Sequence, residues 1–301
     1  MAGLAPPESG QYGRPMKTIQ PPLVSVIMPT FNRSWSLKKA IDSVLSQEYA
    51  SLETIVVDDG STDDTPALLS SYGTRIRVIR QANQGVSAAR NAGIRAAQGE
   101  LITLLDSDDA WLPGKVQAQV DFFDAHPDAL ICQTEEIWIR HGRRVNPKRH
   151  HKKHRGMIFE RCLPLCLISP SAVMMRRTLL DEVGLFDEQL PACEDYDMWL
   201  RITFKYPVAL INEPLIVKHG GHADQLSAMP QLDRYRIQAI VKILRQGVLS
   251  ADQTAAALDV LTRKCAIYAT GCRKRGRLGE AAYFDRLPDD WSSESFVPVC
   301  D

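Results

Sequence analysis

The sequence predicts an α/β fold with a mostly parallel sheet flanked by helices, followed by a C-terminal helical extension. Apolar runs of strand length alternate with helical segments about every 20 residues between 23 and 105, which is the pattern of βαβ units on a parallel sheet. These runs are apolar without interruption, so both faces of the strands are expected to be buried. From residue 231 onward apolar residues recur at helical spacing, without an acidic or histidine cluster, which predicts the extension.

The elements of the first half follow in order from these patterns. The first 22 residues are rich in Pro and Gly without an apolar core, so they are expected to form a flexible tail and not a signal peptide. Ser34 is a candidate N-cap for the first helix, and Thr62 or Asp63 for the second. The predicted strands are 23–28, 53–57, 75–80 and 101–105, and the predicted helices are 34–47, a short one ending near 72, and 86–97.

The second half is predicted by the same criteria. Trp111 to Ala125 is expected to be a helix. The remaining predicted strands are 129–139, 169–175, 208–211 and 215–218, and the remaining predicted helices are one ending near 183, then 194–205, 231–246, 251–270 and 277–286.

Three aspartates follow the fourth predicted strand. Asp106, Asp108 and Asp109 lie within four positions of each other, and ligands bind beyond the carboxyl ends of strands in such sheets. Crowded carboxylates repel each other unless a cation joins them, and a divalent cation carrying a diphosphate would do so. For Asp109 alone the favoured interpretation is a cap on the following helix.

Asp58 and Asp59 follow the second predicted strand at the same edge. An aspartate at such an edge commonly hydrogen-bonds a base or ribose, which makes the first half a nucleotide-binding half. Asp-Gly-Ser is also strong turn chemistry, and a turn is expected to account for one of the two aspartates. The P-loop and dinucleotide glycine motifs are absent from the sequence, so an aspartate–metal arrangement is the candidate holder of phosphates.

A second acidic cluster opens the helix predicted at 194–205. Glu194, Asp195 and Asp197 exceed what capping and the helix dipole require. Helical spacing allows Glu194 or Asp197 to pair with Arg201. Asp195 faces elsewhere and is the candidate general base.

Two histidines flank a pair of glycines after a predicted strand. The glycines give the backbone around His219 and His222 conformational freedom. Either histidine could complete a metal site, and either could equally be an ordinary surface residue.

Composition and charge restrict the class of function. The 36 Lys and Arg residues balance 36 Asp and Glu residues, which argues against a general nucleic-acid binder. No window approaches the roughly 18 apolar residues of a membrane span, and seven irregularly spaced cysteines indicate reduced thiols, so a cytoplasmic location is expected. The basic stretch 140–155 is expected to be a solvated, mobile loop. The alternative is contact with anionic lipid headgroups, peripherally at the inner membrane face, or with a phosphorylated acceptor.

Several motifs occur in an order that is specific as a combination. They are VSVIMPTFNR (24–33), VVDDGSTDDT (56–65), NQGVSAARNAGIRAAQGE (83–100), LLDSDD (104–109), VGLFDE (183–188) and CEDYDMWLR (193–201). With them the chain resembles family 2 glycosyltransferases, inverting enzymes with the Rossmann-like GT-A fold of nucleotide-diphospho-sugar transferases. The resemblance implies a GT-A domain at 23–225, with a nucleotide-binding half at 23–110 and an acceptor half at 111–225, before a helical extension at 226–301.

The resemblance also implies roles for residues of the donor site. Pro29 and Thr30 correspond to the backbone that lies against the nucleobase, and Asp59 to the aspartate that binds the base. Arg90 corresponds to an arginine near the nucleotide pocket. Asp106 corresponds to the first aspartate of the D-x-D motif, which approaches the ribose.

The metal and the catalytic base follow by the same correspondence. Asp108 matches the aspartate that coordinates Mn²⁺ or Mg²⁺. A histidine beyond the sheet completes the metal shell, and His219 fits its position better than His222, which is also close. The E-D motif supplies the catalytic base, for which Asp195 is preferred over Glu194.

The implied reaction is transfer of one sugar, with inversion, from a nucleotide-diphosphate sugar to a saccharide or lipid-linked acceptor. A UDP-sugar is the expected donor because uridine is the commonest base in the family, and synthesis of a bacterial-type surface polysaccharide or glycoconjugate is the expected setting. The Q-x-x-R-W motif and membrane helices of processive synthases are absent. The rivals are a catalytically silent relative that binds a nucleotide sugar or docks a complex, and a sugar nucleotidylyltransferase, whose glycine-rich turn is missing.

Overall fold

The computed structural model describes residues 20–146, 148–222, 225–226 and 229–292, so the predicted tail lies outside the described residues as far as residue 19. Strands and helices alternate in the first half, as predicted. The elements are β1 (Val24–Thr30), α1 (Ser34–Leu45), β2 (Leu52–Asp58), α2 (Thr65–Ser70), β3 (Arg77–Arg80), α3 (Val86–Ala96) and β4 (Leu101–Leu104).

The second half contains shorter helices and longer strands, and three helices close the chain. The elements are β5 (Ala110–Trp111), α4 (Lys115–Ala125), β6 (Ile131–Arg140), β7 (Arg143–Val145), α5 (Phe159–Cys162), β8 (Val173–Arg176), α6 (Arg177–Val183), α7 (Glu194–Thr203), β9 (Ala209–Gly220), α8 (Leu232–Arg245), α9 (Ala251–Lys274) and α10 (Leu278–Asp290).

In the described residues the sheet has the strand order β3-β2-β1-β4-β8-β6-β9-β5, with β7 paired to β6. Strands β1 to β4 are mutually parallel. Strand β8 runs antiparallel to both β4 and β6, so β6 and β9 again share the direction of the first four strands. The register pairs Thr30 with Asp58 and Ile27 with Leu104. The carboxyl ends of β1, β2 and β4 therefore meet at one edge.

Successive strand residues point to opposite faces of the sheet, and each face is covered by its own buried cluster. Ile27 and Leu104 belong to one buried cluster with α3 and α7 to α10, whereas Met28 belongs to another with α1 and α4. Helix α3 packs so closely on β1 that a Cβ atom at Gly93 would lie 2.4 Å from Cγ2 of Ile27. The predicted C-terminal helices are present, and they pack on the same side of the sheet as α3 and α7.

Two predicted elements of the second half are wrong in their extent. The helix expected from Trp111 begins only at Lys115, because Ala110 and Trp111 form β5 and pair with β9. The two short strands expected at 208–211 and 215–218 are one strand, β9, whose register against β6 shifts on both sides of Glu135. In both cases pairing with a distant strand decides the conformation.

The predicted N-cap at Ser34 is also wrong. Ser34 is the first residue of α1, and the N-cap residue Arg33 makes no side-chain cap. Asp63 supplies the acceptor, because its carboxylate accepts the N–H of Ser34 at 3.1 Å and the N–H of Thr65 at 2.9 Å. Burial raises the pKa of Asp63, but the hydrogen bonds from Thr65 and Ser34 outweigh burial and lower the pKa to about 2.

The basic stretch 140–155 is only partly a solvated loop. Strand β7 pairs with the end of β6, and the Lys153 side chain is 3% exposed with its ammonium 2.9 Å from Oε2 of Glu136. A buried ammonium needs such a counter-charge. The prediction of a wholly solvated loop is therefore wrong at Lys153, while Pro147 lies outside the described residues.

None of the described helices is both long enough and apolar enough to cross a bilayer. The cysteines within the described ranges are all free thiols, as the sequence predicts. Burial raises the pKa of Cys132 and Cys162 to about 12, so these thiols act as small apolar core residues.

Lys115 is a fully buried lysine that makes stability depend on pH. Its ammonium donates to Gln119 at 2.6 Å and to Thr103 at 3.2 Å, and it lies 4.0 Å from the Trp111 ring centroid. Burial lowers the pKa of Lys115 to about 7. Above that pH the unfolded chain keeps this proton, up to its own pKa of about 10.4, while the folded chain releases it. The free energy of unfolding therefore rises with pH over this window.

We predict that Lys115→Met removes this pH dependence. Relative to the variant, the wild-type protein should gain roughly 2 kcal/mol of unfolding free energy between about pH 7 and pH 9, as measured by urea denaturation. Lys274→Met, at an exposed lysine on α9, is the control and should follow the wild type. A difference between wild type and Lys115→Met that stays constant over this range would contradict the prediction.

Candidate active site

A cavity of about 440 Å³, here called the main cavity, opens at the carboxyl edge of the sheet. The loop after β4, the first turn of α7 and the end of β9 contribute to its wall. Pro29, Thr30, Asp59 and His222 lie outside this lining. The predicted site residues that line the main cavity are Arg90, Asp106, Asp108, Glu194, Asp195 and His219.

Arg90 joins the two halves of the site. Its guanidinium is buried and lies 2.8 Å from Oδ1 of Asp106 and 2.5 Å from Oε1 of Glu194. The same guanidinium lies 5.2 Å from the ring centroid of Phe186. Burial alone would lower the pKa of Arg90, but Asp106 and Glu194 outweigh it and raise the pKa. Arg90 therefore stays charged and ties the start of α7 to the loop after β4.

The three acidic residues at the start of α7 have different environments. Glu194 is buried against Arg90; burial raises its pKa to about 7 although Arg90 opposes the rise. Asp197 is buried and accepts from Nε of Arg201 at 2.9 Å, which settles which of the two predicted partners pairs with that arginine. Asp195 is half-buried, lines the main cavity, and lies 3.4 Å from Sγ of Cys166. Of the two carboxylates of this turn that line the cavity, Asp195 is the more exposed.

The imidazole of His222 lies against the carboxylate of Asp108. Nε2 of His222 lies 2.7 Å from Oδ2 of Asp108, and both side chains are partly exposed. Nε2 of His219 instead accepts from the ammonium of Lys39 at 2.8 Å. Burial and Lys39 lower the pKa of His219. The preference for His219 as the metal ligand stays a prediction, and His222 is the histidine whose ring contacts the Asp108 carboxylate.

Asp108 and His222 are chemically suited to a divalent cation. A carboxylate oxygen and an imidazole nitrogen are donors that Mn²⁺ accepts, and Mg²⁺ favours the oxygen. Within the described ranges no group of three or more His, Cys, Asp or Glu side chains is arranged around one point. A cation held by these two residues would take its other ligands from water or from a bound diphosphate.

The prediction that Asp109 caps a helix is wrong. Asp109 is buried, and its carboxylate accepts the hydroxyl of Ser171 at 2.6 Å and the backbone N–H of His219 at 2.9 Å. Burial, followed by the charge of Asp108, raises the pKa of Asp109 well above its usual value. Asp109 therefore links the loop after β4 to β9. Its contact fixes the backbone of His219, three residues before His222.

Asp59 holds the segment that precedes α3. Its buried carboxylate accepts the side-chain amide of Gln81 at 2.8 Å, the N–H of Gln84 at 3.0 Å and the N–H of Gly85 at 2.8 Å. Gly85 has a φ of 91°, a backbone conformation that glycine adopts without strain. Asp59 thus shapes the surface next to the end of β1.

The end of β1 lies against the turn that follows β2 at Asp58 and Asp59. The carbonyl of Thr30 accepts the N–H of Asp59 at 2.9 Å, and the buried hydroxyl of Thr30 has no hydrogen-bond partner among the described residues. Pro29 is buried beside Thr30. Asp58 accepts the N–H of Ser61 at 2.9 Å, so Asp58 is the aspartate that the turn accounts for.

Sequence reasoning missed several residues of the main cavity. Lys218 directly precedes His219 in β9, and that adjacency is the signal that could have identified it. Burial would lower the pKa of Lys218, but Glu136 and Asp109 outweigh burial and raise the pKa. The other missed residues come from elements that are distant in sequence, and no local pattern predicts that these elements pack around one cavity. They are Glu136, Trp138, Cys166 and Arg236.

The family model described as Glycosyl transferase family 2 matches residues 25–184. The chain belongs to glycosyl transferase family 2. The matched region contains Asp59, Arg90, Asp106 and Asp108, and the family resemblance found in the motifs is confirmed.

Relatives named as glycosyltransferases are similar over most of this chain. An uncharacterized glycosyltransferase of Rickettsia prowazekii is 31% identical over 226 residues, which are 73% of this chain and 71% of the relative. The UDP-Glc:alpha-D-GlcNAc-diphosphoundecaprenol beta-1,3-glucosyltransferase WfgD of Escherichia coli is 31% identical over 195 residues, or 63% of this chain and 73% of WfgD. Against some longer rickettsial relatives the chain spans about a third of their length.

Solved structures confirm the fold. The structure of S. aureus TarS 1–349 aligns with a TM-score of 0.63 at 18% identity, covering 90% of this chain and 83% of TarS 1–349. The mannosyltransferase PcManGT of Pyrobaculum calidifontis, in complex with GDP-Man and Mn²⁺, aligns with a TM-score of 0.59 at 18% identity, covering 91% of this chain and 88% of PcManGT. The predicted α/β fold of GT-A type, with C-terminal helices, is thereby confirmed.

Proposed function

We propose that this family 2 protein transfers one sugar, with inversion, from a nucleotide-diphosphate sugar to an acceptor hydroxyl. The observation that carries the proposal is one cavity bounded by Asp106 and Asp108 on one side and Asp195 on another, with Arg90 connecting the two. The donor belongs to the half at 23–110 and the acceptor to the half at 111–225. The proposed setting is synthesis of a bacterial-type surface polysaccharide or glycoconjugate, which the name of the E. coli relative supports.

The donor nucleotide is proposed to lie at the carboxyl ends of β1 and β2. Pro29, Thr30 and Asp59 would contact the base, and Arg90 and Asp106 would lie near the ribose and diphosphate. Structures of TarS in complex with UDP-GlcNAc and of PcManGT with GDP-Man support a nucleotide sugar as donor. A UDP-sugar is proposed first, because the E. coli relative is named for UDP-Glc.

Asp108 and His222 are the residues that would hold Mn²⁺ or Mg²⁺. When bound, such a cation neutralises charge that develops on the departing diphosphate. Arg90 is placed to add a second positive charge on the same side, because it already contacts Asp106 at 2.8 Å.

Asp195 is proposed to accept the proton of the acceptor hydroxyl as that oxygen attacks the anomeric carbon. A general base must be able to reach the proton it removes, and Asp195 lines the cavity. Glu194 is instead engaged by Arg90 at 2.5 Å. A single displacement with one base inverts the anomeric configuration and differs from the paired carboxylates of glycosidases.

The proposed function is tested by incubating the purified chain with UDP-sugars, Mn²⁺ and saccharide acceptors. We expect release of UDP together with a glycosylated product. Binding of a UDP-sugar without release of UDP under any acceptor condition would favour a catalytically silent relative. Formation of a nucleotide sugar from a sugar phosphate and a nucleoside triphosphate would favour a nucleotidylyltransferase.

We predict that Asp108→Ala removes the metal dependence of UDP binding. Loss of a metal ligand should reduce the Mn²⁺-dependent increase in UDP affinity by about tenfold or more. The thermal shift caused by UDP, with and without Mn²⁺, measures this increase. His222→Ala should behave in the same way. His126→Ala is the matched control, because His126 is exposed and lies outside the lining of the main cavity. A wild-type protein that binds UDP equally well in EDTA would contradict the prediction.

A further inference from the structure

The stretch 140–155 concentrates positive charge that the proposed donor site does not use. It holds eight of the 36 Lys and Arg residues and four of the seven His residues, and none of the 36 Asp and Glu residues. The stretch follows β6, the strand that supplies Glu136 and Trp138 to the main cavity. This charge therefore lies next to the site and not on a remote surface.

A second cavity of about 240 Å³, here called the basic cavity, lies within this stretch and β6. Glu136, Trp138 and His151 line both the basic cavity and the main cavity. The two cavities therefore lie next to each other and share these three lining residues. The residues that line the basic cavity are Glu135, Glu136, Trp138, Lys148, His151, Lys152 and Lys153.

The basic cavity has more cationic than anionic side chains. Glu136 is compensated by the ammonium of Lys153 at 2.9 Å and by the indole N–H of Trp138 at 2.6 Å. Lys148 and Lys152 are exposed and form no ion pair with a described residue. Their ammonium groups can therefore make charge-assisted hydrogen bonds to an anion without first breaking an ion pair.

We propose that the basic cavity binds a phosphate group of the acceptor, while the acceptor sugar lies in the main cavity beside Trp138. This inference rests on the proposed function, because the acceptor hydroxyl has to reach Asp195 in the same cavity. Lys148 and Lys152 contact the phosphate oxygens, and the half-buried Trp138 lies where the two cavities meet. A phosphate of the acceptor is favoured over a lipid surface, because these groups line a concavity that shares Glu136, Trp138 and His151 with the main cavity.

The test measures binding of α-D-glucose 1-phosphate and of methyl α-D-glucoside to the full chain by calorimetry in EDTA. The variant is Lys148→Gln/Lys152→Gln, which leaves the buried Lys153 in place. The control Lys274→Gln/Arg286→Gln removes the same charge from exposed positions on α9 and α10. Wild type should bind the sugar phosphate more tightly than the glucoside. The two-lysine variant should weaken binding of the phosphate on the order of tenfold, and the control should not.

Equal affinity of wild type and the two-lysine variant for glucose 1-phosphate would overturn the proposal, as would a wild-type protein that does not bind it. Vesicles of phosphatidylglycerol and phosphatidylcholine form a second arm. Loss of vesicle binding with unchanged sugar-phosphate binding would assign the lysines to a membrane surface and overturn the proposal. The thermal shift by UDP with Mn²⁺ should be the same in wild type and in the two-lysine variant. Its absence in wild type would count against the proposed function and not against the phosphate site.

Discussion

Asp195→Asn is expected to lower kcat by about 10²–10⁴-fold, the usual contribution of general-base catalysis. The amide has nearly the same size as the carboxylate but cannot accept the acceptor proton. Asp195 contacts Cys166 and not Arg90, Asp106 or Asp108 in the described hydrogen bonds, so the affinity for UDP should remain close to that of wild type. Turnover is measured as UDP release, and affinity by calorimetry.

Asp181→Asn is the control for Asp195→Asn. Asp181 is an exposed carboxylate on α6, away from the lining of the main cavity, so its loss should change neither turnover nor UDP affinity. If Asp195→Asn lost UDP affinity and turnover by the same factor, Asp195 would be a binding residue, and its assignment as the base would fail.

Arg90→Met is expected to lower the free energy of unfolding by about 3–5 kcal/mol, the usual cost of removing one partner of a buried ion pair. Arg90 is the counter-charge of Glu194, which is buried, and it also contacts Asp106. Removing the guanidinium leaves Glu194 without a described cationic partner in a low-dielectric site. Urea denaturation at pH 8 measures the loss.

The double variant Arg90→Met/Glu194→Gln separates charge from packing. It should recover part of the stability lost in Arg90→Met, because the uncompensated carboxylate is gone. Arg95→Met, on the same helix, is the matched control. Arg95 is exposed and pairs with Glu188 at 3.3 Å, so its loss should cost only about 0–1 kcal/mol. Equal destabilisation by Arg90→Met and Arg95→Met would show that the buried bridge has no special role in stability.

Local periodicity was sufficient to predict β1 to β4 and the helices between them. The apolar runs of β1 and β4 are buried throughout, and neighbouring residues such as Ile27 and Met28 belong to clusters on opposite faces. Parallel strands place their carboxyl ends together, which is why the sequence also predicted the edge at which Asp59 and Asp106 lie. The helical spacing after residue 231 likewise predicted α8 to α10.

Local patterns failed where a distant segment competes with the nearby chain. The segment that starts at Trp111 has the sequence pattern of a helix, yet Trp111 itself pairs with β9 as a strand residue. Asp109 has the position of a helix cap, yet the hydroxyl of Ser171 and the N–H of His219 satisfy its carboxylate. Lys153 lies in a stretch with the composition of a solvated loop, yet its side chain is buried and pairs with Glu136.

Sequence patterns were enough to predict the fold class, the direction of the first four strands, the family and the edge that holds the acidic residues. Each of these depends on spacing between near neighbours. Only the tertiary structure decided that Glu194 is engaged by Arg90, leaving Asp195 accessible, and that His222 lies against Asp108. Those contacts join residues 104 and 114 positions apart. Their geometry depends on how strands and helices pack, which the order of residues along one element does not specify.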